Sequence, residues 1–78
     1  MGWMKMKPDF NLQWIRERPE SCAATYFVRY VDAAEFPPSC RTWGYRRWLR
    51  ELLDQDAEMD EIEVLNDLYD LWRRTAKL

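Results

Sequence analysis

The stretch Ala24–Val31, ATYFVRYV, carries the reading of the fold class. Most of its residues are β-branched or aromatic, the types that pack well on a pleated surface. Read as a strand, it sets Ala24, Tyr26, Val28 and Tyr30 on one face and Thr25, Phe27, Arg29 and Val31 on the other. Upstream, Phe10–Glu17 (FNLQWIRE) alternates Phe10, Leu12 and Trp14 with Asn11 and Gln13, a period of two. A short helix capped by Asp9 competes there, because Phe10 and Trp14 are also four apart. Pro19 ends either element, and RPES (18–21) reads as a turn. Two such strands would pair as an antiparallel hairpin, which needs helices to lean on.

Downstream, the sequence supplies helices. EFPPS (35–39) holds Pro37 and Pro38 and makes a stiff connector. Ser39 or Thr42 is placed to cap the helix that follows. In Tyr45–Asp54 the apolar residues Tyr45, Trp48, Leu49, Leu52 and Leu53 form one stripe at helical spacing. DQDAEMD (54–60) interrupts the stripe, and Asp60 with Glu63 resembles a capping box for a second helix running to about Ala76. That helix carries Ile62, Val64, Leu65, Leu68, Tyr69, Leu71, Trp72 and Ala76 over half its circumference, an arc wide enough for two neighbours. The short connection favours an antiparallel pair. The predicted class is α+β: a short antiparallel β-hairpin packed on two antiparallel helices. Residues 1–9 are expected to be a flexible N-terminal segment and residues 10–78 a single small domain. A start at Met6 would make MGWMK an extension.

Composition narrows the function. With 78 residues, a core depends on large side chains, and five Trp, four Tyr and three Phe supply enough to leave some outside. Histidine is absent, which removes imidazole acid–base chemistry and the Ser-His and Cys-His pairs. Cys22 and Cys40 are too few to close a zinc site, and their spacing matches no redox motif. The opening MGWMKMKPDF lacks the apolar segment of a secretory leader, so free thiols are expected. A thiolate at Cys40, near arginines and a helix start, is the remaining route to an enzyme. No cofactor, no metal and no enzymatic activity are expected. No apolar run reaches membrane-spanning length.

The net charge is −2, yet charge is unevenly placed. Asp54, Asp56, Glu58, Asp60, Glu61 and Glu63 gather where the two helices join. Arg41, Arg46, Arg47 and Arg50 lie toward the open end, and Arg73, Arg74 and Lys77 return beside them. Part of this suits the helix macrodipole, and Arg47–Glu51 and Arg50–Asp54 are ordinary i,i+4 pairs. The arginines in the N-terminal half of the first helix oppose that dipole. With Trp43 as origin of the helical wheel, Arg47, Arg50 and Asp54 lie within about 40° and the apolar stripe centres about 200° away. A helix beginning that early leaves the Trp43 indole in solvent among guanidinium groups; a cap at Trp43 would fold it back as a hydrophobic staple. Tyr45, Trp48, Leu49 and Leu52 are core. The expected partner-binding residues are Trp43, Arg46, Arg47 and Arg50, with Lys5, Lys7, Arg73 and Arg74 as additions, since Trp, Tyr and Arg dominate interface hot spots. The alternative is a small nucleic-acid-binding protein using this arginine and aromatic helix, against which stands the overall acidity.

From MKPDFNLQWIRERPESCAATYFVRYVDAAEFPPSCRTWGYRRWLRELL (6–53) to the C-terminal LWRRTAKL the chain resembles the small seventh-gene transcription regulators of lytic Xanthomonas phages. The resemblance rests on overall likeness and length, and no short motif transfers contact residues. It implies a monomer in the host cytoplasm that binds host RNA polymerase at the N-terminal segment of β′ and at the β flap. It further implies σ displacement at initiation, and suppression of termination with NusA as helper. No sequence-specific contact with nucleic acid and no membrane association are implied.

Overall fold

The computed structural model describes residues 8–75, and within them every regular element is a helix. In chain order these are α1 (Leu12–Arg16), α2 (Cys22–Ala33), a 3₁₀ turn (Pro38–Thr42), α3 (Tyr45–Asp54) and α4 (Met59–Thr75). The predicted α+β class with a hairpin is therefore wrong: both expected strands are helical, and no strand occurs among the described residues. Lys5 and Lys7, and the expected flexible start up to Lys7, lie outside the described residues.

The physical reason lies in ATYFVRYV itself. One alternating face is Ala24, Tyr26, Val28 and Tyr30 and the other mixes Thr25 and Arg29 with Phe27 and Val31, so it has strand propensity but no wholly polar face for a period of two to expose. At helical spacing the residues separate cleanly. Ala24, Phe27 and Val31 are buried, whereas Cys22, Thr25, Tyr26, Arg29 and Asp32 are exposed. Ser21 starts the helix, its hydroxyl accepting from the Ala24 N–H at 3.2 Å. Strand propensity spans only about 1 kcal/mol across residue types, less than one well-packed Phe contributes by burial. For α1 the competing helical reading is the structure, though Asn11 is the cap, accepting from the Trp14 N–H at 3.0 Å.

Pro37 is extended and Pro38 opens the 3₁₀ turn, which delivers Cys40 and Trp43 inward. The cap of α3 is Gly44, not Ser39 or Thr42. At the far end of α3, Asp56 adopts φ 55° while the Ala57 N–H reaches Leu52 O at 2.9 Å and the Asp56 N–H reaches Leu53 O at 3.2 Å. These bonds form a Schellman motif that stops α3 and turns the chain back. The box starting α4 lies two residues before the expected one: the Glu58 N–H donates to Glu61 Oε1 at 3.0 Å. Tyr45, the first residue of α3, meets Asn66 and Tyr69 late in α4, so the two helices run back along one another.

α2 and α3 both pack against α4, while α1 packs on α2 and on the 3₁₀ turn. The wide apolar arc of α4 thus has its two neighbours. Trp48, Phe27, Ile15, Leu52, Leu65 and Leu68 are the largest sealed side chains. Trp48 lies at the middle, with Phe27 at 5.1 Å, Phe36 at 5.2 Å and Trp43 at 4.9 Å between ring centroids, all meeting it steeply. Its buried Nε1 has no hydrogen-bond partner among the described residues, a cost that the packing of those rings offsets. Trp48→Ala should therefore lower unfolding free energy by about 3–5 kcal/mol, read as an earlier midpoint in urea. Trp48→Phe, which keeps a ring and deletes the unpartnered N–H, should lose roughly half of that or less.

One bond ties α2 to the start of α4: the Tyr26 phenol donates to Glu61 Oε2 at 2.8 Å. That bond, with some desolvation and the charge of Glu61, pushes the Tyr26 phenol up to about 12. A raised tyrosine means that the folded state favours the neutral donor. The contribution is complete below the ordinary value of 10.0 and is lost as pH climbs toward about 12. Burial, with a smaller effect of the Glu61 charge, also pushes the Tyr30 phenol up, so two of the four tyrosines should ionise late in an ultraviolet titration, and Glu61→Gln should return Tyr26 toward 10.0.

Candidate functional site: an aromatic groove rimmed by arginines

Trp43 is not exposed. At 7% accessibility it is part of the core, 6.0 Å from Phe36 and 4.9 Å from Trp48 between centroids. The expected solvent-exposed indole is corrected by the start of α3: the helix begins at Tyr45, so Trp43 is the cap of the 3₁₀ turn, with extended backbone that aims its ring inward. Arg47 covers it from outside, its guanidinium carbon 4.6 Å from the ring centre, and is held by Glu51 at 2.9 Å. The Arg–Trp pairing foreseen from the sequence exists, but it closes the core, at a worth of about 0.5–1 kcal/mol.

The other arginines divide. Arg74 pairs with Asp70 at 3.4 Å within α4. Arg46 and Arg50 point to solvent from α3 and have no ion pair among the described residues; the expected Arg50–Asp54 pair does not form. Arg41 and Arg73 are likewise exposed and without an ion pair among the described residues. Exposed pairs of this kind hold a side chain weakly, so the cations of this end remain available.

What the sequence did not single out is the groove beside them. Phe10 is its floor, with Trp14 at 5.9 Å, Tyr45 at 6.3 Å, Tyr69 at 5.3 Å and Trp72 at 5.9 Å between centroids. Tyr69 stacks on Tyr45 at 4.1 Å and on Trp72 at 5.4 Å, with interplanar angles of 17° and 20°. The Tyr45 phenol donates to Asn66 Oδ1 at 2.7 Å, and the Trp72 indole donates to the Pro8 carbonyl at 2.8 Å. Arg46, Arg47 and Asp9 stand at the rim of a cavity of about 870 Å³. Tyr45, Tyr69 and Trp72 are half-buried. Their signal in the sequence was the width of the α4 stripe: Tyr69 and Trp72 extend it past the face that Leu65 and Leu68 bury.

At the opposite end Asp54, Asp56, Glu58, Asp60 and Glu63 are exposed around the α3–α4 connection. The two ends of the helix pair thus carry opposite charge. A second hollow, of about 580 Å³, lies along α2 between Pro19, Cys22, Tyr26 and Tyr30. Among the described residues no cluster of three or more His, Cys, Asp or Glu is placed to hold a metal ion, and no helix is long and apolar enough to cross a membrane.

The cysteines are free and differ in setting. Burial pushes the Cys40 thiol up, against a smaller opposing pull from Arg16. A buried thiol held in its neutral form is a poor nucleophile. With a thiol-specific reagent at neutral pH, Cys22 should react at once and Cys40 only after denaturant is added. Rapid reaction of both would show the 3₁₀ turn to be open.

Comparison with protein families, with characterised proteins and with solved structures returned no match to this chain.

Proposed function

We propose that this chain is a protein-binding regulator that docks on bacterial RNA polymerase, acting by occupancy and not by bond chemistry. Its sites there are the N-terminal segment of β′ and the β flap. Occupying them displaces σ, inhibits initiation at host promoters and suppresses termination during elongation, with NusA as an accessory partner in the host cytoplasm. The polymerase identity rests on the resemblance of residues 6–78 to the phage regulators. The observation that carries docking as such is the groove of half-buried rings with Arg46 at its rim and Arg50 exposed one turn further along α3, neither in an ion pair among the described residues. Aromatic and arginine side chains are the groups from which interface hot spots are made.

A body that bridges two subunits needs two separate surfaces, and this one has an aromatic and basic end and an acidic end. Opposed charge at the two ends orients the molecule on approach while leaving net charge near zero. Seated where σ also docks, a small rigid helical body excludes it by volume alone.

Arg46 and Arg50 form no ion pair among the described residues, so the double change Arg46→Glu/Arg50→Glu should fold normally. Incubated with purified Xanthomonas RNA polymerase holoenzyme, the wild-type protein should co-elute with β and β′ and reduce the σ retained. The double variant should bind at least about tenfold more weakly, since two interfacial charges are reversed. Equal binding by both proteins would move the surface elsewhere. No binding by either would overturn the polymerase reading.

A further inference from the structure

The groove is more specific than a generic hot spot. Its apolar part is built from Phe10, Tyr69 and Trp72 and its positive charge from Arg46 and Arg47 at the rim, of which Arg46 has no ion pair among the described residues. Against these stands one rim carboxylate, Asp9. We propose that the groove takes a short acidic segment of a protein partner, one that sets an apolar side chain against Phe10, Tyr69 and Trp72 and a carboxylate against Arg46. This names the chemistry of the partner at the site read above as a docking surface, and rests on that reading.

Two features select a peptide over a nucleic acid. A base needs a free aromatic face to stack on, and here the rings stack on one another: Tyr69 lies at 17° to Tyr45 and at 20° to Trp72. Tyr69, the ring shared by both stacked pairs, offers its edge, which suits an aliphatic or aromatic side chain. A polyphosphate would also bring its repeated charge close to Asp9 and, further along the body, to the acidic end of the helix pair. A single carboxylate on a short segment meets Arg46 without either cost. The planar guanidinium accepts a carboxylate through two parallel bonds, which adds direction to the charge attraction.

The test uses the full chain and fluorescein-labelled peptides with one leucine or phenylalanine flanked by aspartates. Three controls accompany them: the Asp→Asn analogue, the analogue with the anchor replaced by serine, and a single-stranded DNA. Fluorescence anisotropy should show the acidic peptide binding at least about tenfold tighter than either peptide analogue, and the DNA failing to compete. Arg46→Glu should weaken the acidic peptide by about tenfold or more, whereas Arg29→Glu, on the α2 surface away from the groove, should change it less than about twofold. Circular dichroism establishes that both variants are folded. Equal affinity for the Asn analogue, displacement of the peptide by DNA, indifference to Arg46→Glu, or no binding at all would each overturn the proposal. The two readings separate in the outcome. Acidic-peptide binding without polymerase binding removes the polymerase and keeps the groove chemistry, and the reverse removes the groove chemistry alone.

Discussion

The fold depends on where one indole goes. Trp48 is fully enclosed by Phe27 from α2, Phe36 from the connector and Trp43 from the end of the 3₁₀ turn. Phe27 reaches Trp48 only if α2 is helical with Phe27 inward, and Trp43 reaches it only if α3 starts after Gly44. Each edge-to-face contact adds about 0.5–1.5 kcal/mol beyond its buried area. In a domain with marginal stability these few contacts choose among backbone conformations whose intrinsic preferences differ by less.

A second aromatic group is organised differently. Around Phe10 the rings of Tyr45, Tyr69 and Trp72 stack and tilt without closing over one another, and they stay half-buried. α3 belongs to both groups, sending Trp48 into the core and Tyr45 to the groove three residues earlier. The consequence for the surface is a division of labour among the arginines. Arg47 is spent on closing the core over Trp43 and on Glu51. Arg46 and Arg50, on the outward side of the same helix, remain available to a partner. The arginine-rich stretch that looked like one surface is therefore a lid and an exposed rim on adjacent residues.

Much of this was legible before any coordinates. The apolar stripe within Tyr45–Asp54 announced the helix α3 though not its first residue, and the excess width of the α4 stripe announced two packing neighbours. The segregation of charge between the two ends of the helix pair also followed from residue order. The class of Ala24–Val31 did not. When neither alternating face of a segment is polar throughout, periodicity of two is a weak signal, and composition alone then favours the strand. Trp43 was misplaced by two residues of helix boundary, which at about 100° per residue turns a side chain from one face of a helix to the other.

The sequence by itself determined the helical face of the C-terminal half, the lack of any imidazole, and the acidic and basic ends, because each depends only on residue identity and short-range spacing. The tertiary structure decided that the N-terminal half is helical, that Trp43 belongs inside, and that Phe10, Tyr45, Tyr69 and Trp72 share a groove. Those outcomes rest on contacts between residues far apart in the chain. Phe10 and Trp72 lie at opposite ends of the described residues, and no local pattern specifies that their rings come within 5.9 Å.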